Sequence, residues 1–189
     1  MTHLPIVETL QGDVAGYIPS NIISMTDGQI YMNASLFGEG FKPAIDMGLS
    51  VSRIGSRVQW KAMKKLAAMI KLEYVRYKEL ERLTRLKAGV SGEVDRRLRR
   101  GKVLEEVLKQ DQNAPVPLEE QIMVLYGFEN GLLDAIEPQD VRATLASFVK
   151  HLRLHRPDLI AALVEKKELT EQIKEGLNEE IARCARSSV

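Results

Sequence analysis

Cysteine, aromatic residues and net charge are all scarce in this sequence. The single cysteine, Cys184, excludes an intrachain disulfide and a zinc site built from cysteines. Lys plus Arg number 27 and Asp plus Glu 26, so the formal net charge of +1 does not indicate a nucleic-acid partner. No apolar run approaches the roughly 20 residues that span a bilayer, and the first residues lack the features of a secretory signal. We therefore expect a soluble protein of a reducing compartment.

The composition nevertheless allows a folded core. Apolar residues make up 44% of the chain and charged residues 28%, which is not the composition of a disordered tail. The 189 residues are enough for one large domain or two small ones. Aromatic residues are only 5%, and this scarcity favours helices that pack through aliphatic side chains.

Short apolar runs rich in β-branched residues occur near the start of the chain, at residues 4–9, 22–25 and 30–32. They predict three strands, and Asp27-Gly28 predicts a hairpin turn between the last two. Residues 33–40 are expected to form a loop or a short helical turn. Because so few strands without intervening helices cannot bury both faces of a sheet, we expect residues 1–56 to be the end of a larger α/β domain.

Apolar side chains recur at steps of three and four residues from about Arg57 onward, which predicts amphipathic helices. The first is expected to run to about Leu86, and Gly101 is expected to break or bend the second. The remaining connections are short, as antiparallel neighbours require, so residues 57–189 are expected to form a helical bundle. After the first, the predicted helices cover residues 93–110, 118–128, 141–152, 157–164 and 169–181.

The stretch 42–56 lies where the two patterns meet, and it holds Arg53 among small residues between Gly48 and Gly55. Glycine permits unusual dihedral angles and a close approach of other groups to the backbone. An arginine on such a backbone can offer its planar fork of donors to a carboxylate or a phosphate. The alternative is an ordinary surface arginine in a loop between domains, and spacing alone favours this alternative.

No self-sufficient catalytic site stands out in the sequence. There is no glycine-rich phosphate loop ending in Lys-Ser or Lys-Thr. His151 and His155 lie four residues apart on one predicted helix face, but Arg153 and Arg156 crowd them, and no metal site is predicted. The basic cluster at residues 96–100 could bind an anion, although the acidic residues that follow it favour a solvated helix face.

Ordered sequence blocks nevertheless run through the chain. Gly-Leu-Ser-Val-Ser-Arg-Ile-Gly-Ser occupies residues 48–56. Further blocks occupy residues 4–9, 11–14, 17–21, 23–30, 62–64, 69–73, 108–112, 119–121 and 133–138. In their order and spacing these blocks resemble the alpha subunit of F-type ATP synthases. The resemblance covers nearly the whole chain and weakens after about residue 155.

This resemblance implies both a fold and a role. It implies an α/β remnant, the C-terminal strands of a RecA-like nucleotide-binding domain in residues 1–56, followed by the antiparallel helical C-terminal domain in residues 57–189. In the family, three alpha and three beta subunits alternate around a rotating central stalk, and the catalytic sites belong mainly to beta. Arg53, with Ser52 beside it, matches the arginine that alpha contributes across the interface, where it stabilises charge on the γ-phosphate.

The resemblance also implies a second nucleotide site, which alpha fills without turnover. In the family an Arg-Pro pair and two glutamines line its adenine pocket, and Lys42, Pro43, Gln110 and Gln112 occupy the matching positions. Lysine replaces the usual arginine at residue 42, and Asp111 adds a negative charge nearby. The full-length subunit would bind ATP or ADP with Mg²⁺. Because this chain has no phosphate loop, no cofactor is expected on it alone.

The implied partners are the beta subunits, the central-stalk gamma subunit and a peripheral-stalk subunit of the delta type. No nucleic acid is expected, and unpaired sheet edges predict some self-association. The expected location is the cytoplasmic face of the membrane in a bacterium or archaeon, or the matrix or stromal side in an organelle. The alternative function is a purely structural helical interaction module with no role in turnover.

Overall fold

The computed structural model describes residues 3–84 and 92–187, with side chains as far as Cys184. The chain divides into two compact units, Met1–Val58 and Gln59–Val189. The first unit contains little regular structure, and the second is helical.

The first unit is organised by a short antiparallel pair of strands. Strand β1, Gly28–Gln29, pairs with β2, Val51–Ser52, so that Gly28 faces Ser52 and Gln29 faces Val51. An isolated bridge joins Met32 to Ile45. Around the strands lie α1 (Tyr17–Met25), α2 (Ala34–Gly38) and α3 (Gly55–Val58), and a 3₁₀ turn occupies Leu10–Gly12. Residues distant in sequence therefore meet beside residues 51–53.

Several strand predictions for this unit are wrong. Residues 4–9 form no strand, and residues 22–25 belong to helix α1. The β-branched residues favoured a strand, but intrinsic propensity is a weak prior that context overrides. Asp27-Gly28 forms no hairpin turn, because Gly28 pairs with a strand more than 20 residues later in the chain. The short helical turn expected within residues 33–40 is confirmed as α2, where Asn33 Oδ1 accepts a hydrogen bond from Ser35 N at 2.9 Å.

The second unit consists of helices joined by short connections. Its helices are α4 (Lys61–Thr84), α5 (Gly92–Leu108), α6 (Leu118–Glu129), α7 (Val141–His155), α8 (Pro157–Lys166) and α9 (Glu171–Ser187). Helix α4 begins at Lys61 rather than near Arg57, because α3 is a separate short helix. The expected end of this helix near Leu86 lies outside the described residues. None of the described helices is both long and apolar enough to cross a membrane.

The core of this unit forms where the apolar faces of the helices meet. Its completely buried side chains come from α5, α6, α7, α8, α9 and the loop after α6: Leu104, Ile122, Met123, Phe128, Leu133, Val141, Phe148, Leu152, Leu163 and Leu177. Most are aliphatic, as the scarcity of aromatic residues predicts. The apolar periodicity of the sequence therefore corresponds to burial in the helical unit.

Gly101 does not interrupt α5, contrary to the sequence-based expectation. It is buried against the ring of Tyr77 on α4, which is 4% exposed. A Cβ atom at position 101 would lie 1.9 Å from Tyr77 Cδ2. Glycine is therefore required here by the close approach of α4 and α5 rather than by a bend.

Gly101→Ala is expected to lower the free energy of unfolding of the chain. Alanine favours a helix by about 1 kcal/mol over glycine, but overpacking a core costs about 1–3 kcal/mol, and this contact is far inside the van der Waals distance. We expect a net loss of about 2 kcal/mol in urea denaturation followed by circular dichroism. Gly92→Ala in the same helix is the control, since nothing lies within 4 Å of its added Cβ. Equal stabilities of the two variants would contradict the packing argument.

Candidate functional site

Arg53 follows directly after β2, and its side chain is exposed. Its backbone N donates a hydrogen bond to Asp27 O at 2.8 Å, which extends the pairing of the two strands by one residue. Among residues 3–84 and 92–184, no carboxylate forms an ion pair with its guanidinium. The backbone of Arg53 is therefore fixed, while the donors of its side chain remain available to another molecule.

Gly28 allows the strands beside Arg53 to come together. Its φ is 150°, and a Cβ atom at this position would lie 2.2 Å from Val51 O. No other residue fits here without separating the strands. The Asp27-Gly28 signal in the sequence thus marks a close backbone approach that supports Arg53, rather than a hairpin turn.

Ser52 has a local structural role. Its Oγ accepts a hydrogen bond from Gly55 N at 2.9 Å, which closes the turn between β2 and α3. A Cβ atom on Gly55 would lie 2.5 Å from this oxygen, so the turn requires glycine at 55. Ser52 therefore positions the residues on either side of Arg53.

Asp46 shapes the approach to this strand, although no sequence-based prediction named it. Its Oδ1 accepts hydrogen bonds from Gly48 N at 2.9 Å and Leu49 N at 3.0 Å. Its Oδ2 accepts one from Asn33 Nδ2 at 3.3 Å. An aspartate two residues before a glycine is a typical Asx turn, which is the signal that could have identified it.

Lys42 and Pro43 lie in the same unit as Arg53 and are both exposed. The peptide bond between them is cis. Lys42 Nζ lies 4.9 Å from the centroid of the Phe37 ring, within the range of a cation–π contact. The ring of Pro43 presents an apolar face, and the ammonium group of Lys42 lies over the Phe37 ring.

Gln110 and Gln112 lie in the second unit, in the loop after α5. Gln110 Nε2 donates a hydrogen bond to Ala114 O at 2.8 Å, so the amide nitrogen is used within the loop and the amide oxygen remains available. Asp111 lies 2.6 Å from Arg142 Nη2. The hydrogen bond from Arg142 lowers the pKa of Asp111. The negative charge that the sequence placed beside the glutamines is thus balanced by an arginine on α7.

A groove of about 480 Å³ lies beside Gln110, between the end of α5 and helices α6 and α7. Its floor is apolar and includes Val107, Leu125 and Leu145. Arg153 lies at its rim and forms an ion pair with the nearly buried Glu120 on α6. Sequence reasoning did not find this groove, because its lining residues come from three helices.

His151 belongs to an ion-pair cluster around Glu180, and the ring of His155 stacks on the ring of His151. The two ring centroids lie 4.4 Å apart, and His151 Nε2 lies 2.8 Å from Glu180 Oε2 on α9. Glu180 is 2% exposed and also accepts hydrogen bonds from Arg183 at 2.6 Å and Arg156 at 3.3 Å. Burial raises the pKa of Glu180, but these three donors outweigh it and hold the pKa at about 2.

Acid is therefore expected to weaken the second unit through Glu180. Its pKa is about 2 when folded and 4.5 as the ordinary value, so the unfolded chain takes up the proton first as the pH falls. The contribution of Glu180 to the free energy of unfolding is complete above about pH 4.5 and is lost as the pH falls toward 2. The loss is about 3 kcal/mol, at about 1.4 kcal/mol per pKa unit. Glu180→Gln should flatten the stability profile in this window. The same slope in the wild type and the variant would contradict the assignment.

The basic cluster at residues 96–100 is largely neutralised by acidic neighbours. Arg97 Nη2 lies 2.7 Å from Glu93 Oε1, and Arg99 Nη2 lies 2.7 Å from Glu137 Oε1. Arg100 contacts three carboxylates, Glu73, Glu129 and Asp134, and its guanidinium lies 4.4 Å from the centroid of the Phe128 ring. Arg100 thus ties α5 to α4 and to the end of α6, which supports the solvated, structural interpretation of this cluster.

Comparison with known protein families gives two matches. Residues 59–184 match the family described as ATP synthase alpha/beta chain, C terminal domain. Residues 1–52 match the ATP synthase alpha/beta family, nucleotide-binding domain. The first match alone covers more than half of the chain, and both descriptions include alpha and beta chains. Arg53 lies between the two matched ranges.

Proposed function

The chain belongs to the ATP synthase alpha/beta family, and we propose that it acts as an alpha-type subunit whose Arg53 completes a catalytic site on a neighbouring beta-type subunit. The block at residues 48–56 supports the alpha assignment, because it carries the Ser-Val-Ser-Arg sequence of that subunit. In this role the chain takes part in ATP synthesis and hydrolysis coupled to ion transport without a catalytic site of its own.

The state of the Arg53 side chain is the observation that carries this proposal. Strand pairing fixes its backbone, and within the described residues its guanidinium has no carboxylate partner. A guanidinium presented in this way can donate two parallel hydrogen bonds to phosphate oxygens. Such a group stabilises the charge that develops on a transferring phosphoryl group without covalent chemistry.

The proposed assembly follows from the same role. Alternating alpha-type and beta-type subunits would place Arg53 at each catalytic interface. A central-stalk gamma subunit and a peripheral-stalk delta-type subunit would complete the coupling to ion transport. The chain would then lie at the membrane surface as a peripheral component, on the cytoplasmic, matrix or stromal side.

We further propose that the chain binds a second nucleotide, with Mg²⁺ and without turnover. The adenine-binding role that the resemblance implies is proposed for Gln110 and Gln112 in the second unit and, separately, for Lys42 and Pro43 in the first. Within each unit the side chains suit this role. Pro43 offers an apolar face, and the amide oxygen of Gln110 can accept a hydrogen bond from the exocyclic amine of adenine. The pairing of Asp111 with Arg142 removes the charge that would otherwise repel phosphate.

The chain alone is expected to bind ATP weakly or not at all, because it has no phosphate loop to hold the triphosphate. Titration of ATP into the purified chain should give no saturable heat in the micromolar range. A one-site isotherm in that range would show that the chain holds phosphate groups in some other way.

Trapping of a transition-state analogue tests the role of Arg53. In a complex with beta-type subunits, ADP and aluminium fluoride should become trapped at the catalytic sites. Arg53→Ala should abolish trapping while ADP still binds, because only the analogue carries the charge distribution that the guanidinium stabilises. Arg57→Ala is the matched control, since Arg57 is also exposed and lies only four residues later. Equal trapping in both variants would favour a purely structural role for the chain.

A further inference from the structure

Helix α4 exposes an excess of positive charge along its outer face. Its exposed basic side chains are Lys61, Lys64, Lys65, Lys71, Arg76 and Arg82, and its only exposed acidic side chain is Glu79. The net charge of the chain is only +1, so this face differs from the rest of the molecule. Its other charged residues, Glu73, Lys78 and Glu81, are half-buried, and the first two form ion pairs with α5.

Apolar side chains are exposed on the same face. Leu72 is 51% exposed, Leu83 60% and Met69 41%. The described part of the second unit exposes only three other large apolar side chains, Val116, Leu154 and Val164, and none of these lies on α4. Exposed apolar surface is costly in a solvated helix, so its concentration beside the basic residues suggests a contact surface.

The spacing of these residues defines a ridge that another helix could pack against. Ala68, Leu72 and Val75 follow one another at steps of four and three residues, which places them in one line along α4. Lys64 lies on one side of this line and Arg76 on the other. We call these five residues the α4 ridge. A narrow apolar seam with charged residues on both sides is the arrangement through which two helices form a coiled coil.

We propose that the α4 ridge binds an acidic amphipathic helix of a partner protein. The apolar face of that helix would cover Ala68, Leu72 and Val75, and its flanking carboxylates would meet Lys64 and Arg76. The α4 ridge extends from residue 64 to residue 76, or about 18 Å along the helix, which is enough to pair with about three turns of a partner helix. This inference goes beyond the proposed function, because it involves neither Arg53 nor a nucleotide.

A protein helix fits the ridge better than an anionic membrane surface does. A helix that inserts into a membrane interface needs a wide apolar face with bulky side chains. Here the opposite face of α4 is buried against α5 and α6 through Leu66, Ile70 and Tyr74. Within the described residues of α4, the outer face exposes no large apolar side chains besides Met69, Leu72 and Leu83, which are too few for a wide apolar face. A single ridge between basic residues suits the groove of one partner helix.

Fluorescence anisotropy with designed peptides tests this proposal on the full chain. The probe is a labelled peptide of four heptads with leucine at positions a and d and glutamate at e and g, whose charge repulsion keeps it from pairing with itself. We expect saturable binding to the wild-type chain. A peptide of the same composition with its leucines scattered around the helix should bind at least tenfold more weakly.

Variants of the chain then locate the binding site. Lys64→Glu combined with Arg76→Glu should weaken binding at least tenfold, and Leu72→Ala should weaken it severalfold. Arg96→Glu combined with Lys150→Glu is the control, because it makes the same charge change at exposed positions on α5 and α7. Binding by this control should be within twofold of the wild type.

Three outcomes would overturn the proposal. The first is equal weakening by the control pair, which would indicate attraction to overall charge. The second is equal binding of the scattered peptide, which would show that the apolar seam plays no part. The third is binding of vesicles of phosphatidylglycerol and phosphatidylcholine that depends on Lys64 and Arg76 while the peptide fails to bind. That result would assign the ridge to a lipid surface.

Discussion

Arg53→Lys is expected to leave assembly with beta-type subunits intact and to lower ATP turnover by a factor on the order of 10³ or more, within the range seen for arginine fingers. Lysine keeps the positive charge but presents a single ammonium in place of a planar fork. Because the backbone at residue 53 is fixed through Asp27 O, the shorter reach of lysine cannot be recovered by a shift of the chain. Steady-state turnover of the purified complex measures this loss.

Arg57→Lys is the matched control for this substitution. Arg57 is exposed, belongs to the short helix α3 and has no ion pair with a described residue. Its replacement should change turnover less than twofold. If Arg53→Lys keeps turnover within a few-fold of the wild type while assembly is normal, Arg53 makes no essential contact with phosphate, and the structural interpretation of the chain is favoured.

Glu180→Ala is expected to lower the free energy of unfolding of the second unit by about 3 kcal/mol. Removal of one partner from a buried ion pair costs about 3–5 kcal/mol, because the remaining charge stays unpaired. The lower end applies here, since the Arg183 side chain is 54% exposed and can turn toward water. His151 and Arg156 are less exposed and lose their acceptor within the structure. Urea denaturation at pH 7 measures this change.

Glu179→Ala provides the control for Glu180. The two glutamates are adjacent, but the Glu179 side chain is 76% exposed and lies 3.9 Å from Arg156, so its contact is weak. We expect its replacement to change stability by less than about 0.5 kcal/mol. Similar losses in the two variants would show that the cost comes from the helix itself and not from the buried cluster.

The helical unit could largely be predicted from the sequence, because its apolar residues follow a period of three to four residues over long segments. Pro157 correctly marked the start of α8, and Asn130-Gly131 the interruption after α6. Gly101 was the exception. Its environment depends on Tyr77 from another helix, and no local pattern reports a contact between helices.

The first unit could not be predicted in the same detail, because its strands have only two residues each. Pairing so short is determined by contacts such as Gly28 against Val51, more than 20 residues apart, and leaves no periodic pattern in the sequence. The apolar runs at residues 4–9 and 22–25 followed β-propensity, which here did not decide the structure. The assignment to ATP synthase alpha/beta chains was correct nonetheless, because the ordered blocks carry more information than the periodicity does.

The sequence singled out Arg53, and the structure adds the strand pair that holds its backbone. The Glu180 cluster and the groove beside Gln110 were not found, because each combines residues from several helices. Charge provided a misleading local signal at Asp111, which looks unbalanced along the sequence although its partner Arg142 lies elsewhere in the fold. For the arginines of residues 96–100, the structure supports the solvated helix face that the sequence favoured.

Cross-linking measures most directly whether Arg53 reaches a nucleotide held by another subunit. Arg53→Cys in a Cys184→Ser background leaves a single thiol, which can react with an ATP analogue carrying a thiol-reactive group on its γ-phosphate. In the presence of the beta-type subunit, we predict that the label attaches to this chain at residue 53. Arg57→Cys in the same background should remain unlabelled. Failure of position 53 to react, or equal labelling in the absence of the beta-type subunit, would contradict the proposal that Arg53 reaches a nucleotide held by that subunit.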